Sequence, residues 1–170
     1  MNQIPVPLIE TKERVFDLLG LQLLNPMAET ESVAYSAFRF ELSRFKMLFR
    51  EAKITPTKTG QFVTLWKRIA NGPIEPFDFS DAVDLFIINT RTETNFGQFV
   101  FSKEVLSQHG IITTGSREGK RAIRVYPSWD QTKNKQAQKT QKWQLNYFLE
   151  IPLNKPVDLN RAKALYFQNK

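Results

Sequence analysis

Phe38, Phe40 and Leu42 alternate with Arg39 and Glu41, the period of two that turns one side of a strand to a core and the other to water. Ser43-Arg44 is short enough for a hairpin turn, and Phe45, Met47 and Phe49 resume the alternation in a second strand predicted over 45–54. The same period puts Glu51 and Lys53 on the face of Phe49, so the apolar side ends in a carboxylate and an ammonium. Leu85-Phe86-Ile87-Ile88 is apolar at every position, which predicts a central strand over 84–90. Strands are also predicted over 61–67, 98–101 and 121–126, bounded by Asn71-Gly72-Pro73, a polar loop at 92–97 and Pro127.

Helical spacing governs other stretches. Val15, Phe16, Leu18, Leu19 and Leu23 predict an amphipathic helix over 8–24, ended by Asn25-Pro26. A short helix over 102–108 has Ser102 as its cap and His109-Gly110 as its stop. In a longer helix over 134–149, Lys135, Lys139, Lys142 and Asn146 share one polar stripe, while Ala137, Leu145 and Phe148 face the core. A terminal helix over 158–167 is capped by Asp158. These elements describe one α+β domain spanning 1–170, with a mixed, largely antiparallel central sheet flanked by helices.

Composition narrows the chemistry. With no cysteine and one histidine, disulfides, thiolate nucleophiles and Cys- or His-rich metal centres are excluded. His109 sits where an imidazole serves the last carbonyls of a helix. Neither G-x-x-x-x-G-K-S/T nor G-x-G-x-x-G occurs, so no nucleotide-cofactor fingerprint is present. No long apolar run and no leader pattern opens the chain, which predicts a cytoplasmic protein without membrane insertion.

The net charge of +7 is unevenly placed: residues 39–68 and 117–142 each carry eight basic and two acidic groups, whereas 75–104 carries two and six. Brought together, the two basic segments would form one face suited to phosphate backbones; kept apart, they would be two solvated faces. Lys53, Lys58, Lys67 and Arg68 from the first, and Lys120, Arg121 and Arg124 from the second, are the candidate phosphate contacts. Trp66, Tyr126 and Trp129 are candidates to stack on bases, which would favour single strands, or else belong to the core.

The runs 52–68, 97–103 and 119–130, with Gln136-Ala137 and Thr140-Gln141-Lys142-Trp143-Gln144, resemble the MepB family over about 38–149. The resemblance implies a small cytoplasmic protein with a fold likened to restriction-endonuclease-like nucleases. It also implies binding of DNA or RNA, and a place beside a multidrug efflux pump and its repressor. It implies no established reaction and no cofactor.

Two further readings stay open. Glu51-Ala52-Lys53 at a strand end, with Glu41 on the adjoining strand, fits the spacing of PD-(D/E)xK nucleases, in which carboxylates hold Mg²⁺ and the lysine handles water. Glu41, Glu51 and Lys53 would then be catalytic, and Glu41, Glu51 and Asp84 the candidate metal ligands. The same Glu51 fits a plain ion pair with Lys53 or Arg50, and Asp84 one with Arg121 or Arg124. A second register, with Asp84 followed by Gln98-Phe99-Val100, has the topology of such nucleases without their carboxylate and lysine. The last reading, an efflux accessory protein binding small cationic compounds or partner proteins, rests on the acidic stretch 75–104.

Overall fold

The run Leu85-Phe86-Ile87-Ile88 is buried on both faces and lies in the middle of a six-stranded sheet. The computed structural model describes residues 3–167. The chain opens with α1 (Val6–Thr11), extended by a π-helical turn at Lys12–Phe16, and continues into β1 (Leu23–Ala28). Then come β2 (Phe38–Leu42), β3 (Phe45–Glu51), β4 (Lys53–Ile54), β5 (Gln61–Thr64), β6 (Trp66–Arg68) and β7 (Ile74–Pro76). After β8 (Leu85–Arg91) and β9 (Phe96–Ser102) the order is α2 (Lys103–Gln108), β10 (Ala122–Val125), α3 (Lys135–Gln144), β11 (Phe148–Glu150) and α4 (Leu159–Tyr166).

The central sheet has the order β1-β2-β3-β8-β9-β11. Every neighbouring pair is antiparallel except β3 and β8, which run parallel with Met47 opposite Leu85. This is a single α+β domain with a mixed, largely antiparallel sheet. Side chains divide by parity: Met47, Phe49, Leu85, Ile87, Phe96 and Val100 join α1 and α4 in one core. Leu48, Phe86, Ile88, Phe99 and Phe101 join α2 and the strands β5 and β10 in another. The first core is crossed by a buried polar chain. Asn89 Nδ2 donates to Thr11 Oγ1 (2.9 Å), Gln98 Nε2 donates to Asn89 Oδ1 (2.9 Å), and the Tyr166 hydroxyl donates to Gln98 Oε1. Gln98 thus ties both helices to the sheet, where a carboxylate would be left without donors enough.

Four elements differ from the sequence pattern. The strand over 61–67 divides at Leu65, and Trp66–Arg68 pair with β7 in a separate two-stranded sheet. The first helix ends at Phe16, the chain turns through Gly20 (φ +71°), and Leu23 and Leu24 instead pair with Leu42 and Glu41 as an edge strand. Asn25-Pro26 is the bulge of that strand, with Asn25 at φ +53° and the register shifting between Leu24 and Met27; a proline lacking its N–H is tolerated at an edge. The strand over 45–54 breaks at Ala52, so Lys53 and Ile54 pair with Phe62 and Gln61 in a separate three-stranded sheet, β10-β5-β4. The helix over 134–149 stops at Gln144, tightens through Leu145–Tyr147, and releases Phe148–Glu150 to close the central sheet against β9. Among the described residues no helix is long and apolar enough to cross a membrane.

Candidate functional site

The small sheet joins the two basic segments. β5 and β10 pair antiparallel, placing Arg124 opposite Phe62 and Ala122 opposite Thr64. β10 is an edge strand, and α3 lies along it, held by two glutamines three residues apart on one helix face. Gln144 Nε2 donates to the Arg124 carbonyl (2.9 Å) while its Oε1 accepts from the Tyr126 N–H (2.9 Å). One buried amide side chain therefore supplies the donor and acceptor that a further strand would have offered. Gln141 Nε2 reaches the carbonyls of Pro127 (3.0 Å) and Asp130 (2.9 Å). Asn134 caps the helix by accepting from the Ala137 N–H (2.8 Å).

Between α3, β10 and the turn at 57–59 runs a groove of about 1160 Å³. Lys58, Lys120, Arg124, Lys133, Lys139 and Lys142 all line it, and no aspartate or glutamate does. Among the described residues none of these six cations has a carboxylate partner. Arg124 is instead fixed by neutral acceptors, the carbonyls of Thr59 and Gly60 (3.3 Å each) and Thr55 Oγ1 (2.7 Å). Gly60 has φ +85°, and a Cβ there would lie 2.6 Å from the Tyr126 ring, so glycine is what lets the turn close against β10. Gly119 makes its close approach to the chain itself: a Cβ would lie 2.4 Å from the Ile111 carbonyl oxygen.

The remaining candidates fall elsewhere. Lys67 is bound to Asp81 (2.8 Å), Arg68 to Glu31 (3.2 Å) and Arg121 to Glu118 (3.0 Å). Arg68 and the Trp66 indole N–H together hold the Glu31 carboxyl below its ordinary range. Lys53 is exposed, with its ammonium 5.0 Å from the centre of the Tyr35 ring. Tyr126 lines the groove. Trp129 borders a smaller cleft of about 260 Å³ beside Lys58 and Thr59, and its ring packs edge-on against Phe148. The aromatic pair that does line the groove, His109 and Trp143, was not legible as a unit, because 34 positions of sequence separate the two rings.

Glu51 and Lys53 occupy different sheets. Glu51 lies 4.0 Å from Arg91, and burial pushes its carboxyl up against the pull of that guanidinium. Glu41 sits opposite Lys46 near the other end of β3, five residues from Glu51 and so about 17 Å away along the strand. Asp84 accepts from the Lys46 N–H (2.8 Å) and fixes the start of β8 against β3. Among the described residues no group of three or more His, Asp or Glu is arranged to hold a metal ion.

The sequence model of MepB-like proteins matches residues 29–150. The chain belongs to the MepB-like family. A crystal structure of MepB superposes with a TM-score of 0.75 at 35% identity, covering 89% of this chain and 99% of that one. No curated protein matches. The MepB-like span contains every residue that lines the groove and the Glu29 partner of Arg50, while α1 and α4 lie outside it. The run Thr140-Gln141-Lys142-Trp143-Gln144, which lies within the matched span, has a physical role: two glutamines dock the helix, and Lys142 and Trp143 line the groove.

Proposed function

We propose that this MepB-like protein binds nucleic acid along the groove between α3 and β10, contacting the phosphate backbone and performing no reaction on it. The observation that carries the reading is the convergence of six unpaired cations, drawn from both basic segments, on one groove whose lining has no carboxylate. A polyanion entering it would neutralise those charges and release its counterions, which gives affinity without sequence readout. A groove of one positive sign repels the small cationic compounds of an efflux substrate list. Of the earlier candidates, Lys58, Lys120, Arg124 and Tyr126 belong to this interface; Lys133, Lys139 and Lys142 extend it.

The test is titration of labelled single- and double-stranded oligonucleotides at low and moderate salt, with and without Mg²⁺ or Mn²⁺, following anisotropy and strand integrity together. Micromolar or tighter binding that weakens steeply with salt is expected, with intact strands. Absent or salt-independent binding refutes the reading. Metal-dependent cleavage of the strands would overturn the reading that no reaction is performed.

A further inference from the structure

A column of aromatic rings leads from the second core to the groove. Phe101 is fully buried, and its ring centre lies 5.4 Å from that of Trp143 at a tilt of 48°. Trp143, half-buried on α3, is in turn stacked on His109 at 3.8 Å with the two planes 6° apart. His109 is exposed and lines the groove, so one face of the imidazole is covered by indole and the column ends on the other. Its backbone is held at the end of α2 by Gly110, whose φ of +69° makes the turn and whose Cα is packed beneath the Arg117 guanidinium. Desolvation pushes the imidazole's pKa below its ordinary value, which favours the uncharged ring in a groove lined by six cations.

A flat, neutral, fixed ring beside a phosphate track is what an unstacked base requires: its π-face stacks without regard to sequence, and a base inside a closed duplex cannot reach it. We infer that the exposed face of His109 is a stacking platform for an unpaired nucleobase, so the groove takes single-stranded nucleic acid in preference to duplex. This rests on the groove being the nucleic-acid interface.

The experiment compares three labelled 12-mers by anisotropy: a single strand, its duplex, and a strand of the same length with abasic sites throughout. Wild type, His109→Ala and His109→Phe are measured against each, with thermal unfolding to show that the variants are folded. The expected result is tightest binding to the single strand. His109→Ala should lose about 5- to 100-fold on it, within the range found for one stacked base, with little change on the abasic strand, and His109→Phe should restore it. Equal loss on the abasic strand, unchanged affinity in His109→Ala, or preference for duplex would overturn the platform while leaving the groove intact. Failure of all three oligonucleotides to bind would overturn both.

Discussion

Replacing Lys139 and Lys142 together by alanine should change how binding responds to salt, not only how tight it is. Both ammonium groups line the groove from α3, a turn apart on one helix face, without a carboxylate partner. If all six groove cations neutralise phosphates, the slope of log Kobs against log salt is about −4 for a single strand and about −5 for duplex. Going from 50 to 200 mM salt then weakens single-strand binding by about 300-fold. Removing two contacts reduces the slope to about −3, and the same salt step costs only about 50-fold. The control is Lys67→Ala with Arg68→Ala, which changes the net charge by the same amount but removes cations already bound to Asp81 and Glu31. Its slope should match wild type. Anisotropy titrations at four salt concentrations measure all three slopes. An equal change in both double variants would mean that the protein is attracted by overall charge, and an unchanged slope for the α3 pair would mean that the groove is not the interface; either result refutes the argument.

Three further outcomes follow from the geometry. Arg50 is fully buried, paired with Glu29, and donates to the carbonyls of Phe49 (3.0 Å) and Thr64 (3.3 Å), so Glu29→Ala should lower stability to urea by about 3–5 kcal/mol, the cost of stranding a buried charge; a loss below about 1 kcal/mol would show the guanidinium to be satisfied by those carbonyls alone. Gly119→Ala places a Cβ within 2.7 Å of backbone atoms of Ile112 and Thr113, and because backbone cannot swing aside the melting curve should show a loss of about 1–3 kcal/mol. Burial raises the Glu51 pKa in the folded state, so its contribution is complete below the unfolded value near 4.5 and is lost as pH rises through the folded one; Glu51→Gln should therefore flatten the pH dependence of unfolding above pH 4.5 and gain on wild type toward neutral pH.

The sequence disclosed the elements whose pattern was local. Phe38 to Leu42 and the hairpin at Ser43-Arg44 stand where alternation placed them, and the caps Ser102 and Asp158 each accept a backbone N–H as their side chains allow. What was illegible depended on distant partners. Nothing in Leu23 to Ala28 alternates as a strand should, and its state is fixed by the free edge of β2. Phe148 carries helical periodicity up to the point where its ring covers Gly97, whose absent side chain leaves the space for it. The lysine stripe of α3 read as solvated because the strand that turns it into one wall of a groove lies more than ten residues earlier, docked through Gln141 and Gln144. Neither glutamine is distinguishable in sequence from an ordinary polar helix position.

Folding sorts the charges as well as the side chains. The acidic N-terminal stretch supplies Glu10 to Arg91, Glu29 to Arg39 and Arg50, and Glu31 to Arg68, while Asp81 takes Lys67. Apart from the Glu10–Arg91 pair, these pairings neutralise cations of the first basic segment, and they leave Lys58 unpaired in the groove. Among the described residues, Arg121 alone in the second segment meets a carboxylate, Glu118. Six of the cations left without a carboxylate among the described residues line the groove where β10 and α3 face each other. Arg124 shows how the proposed interface would work: carbonyl and hydroxyl acceptors fix the guanidinium without cancelling its charge, so a phosphate would meet a cation already oriented, at little further cost in side-chain entropy.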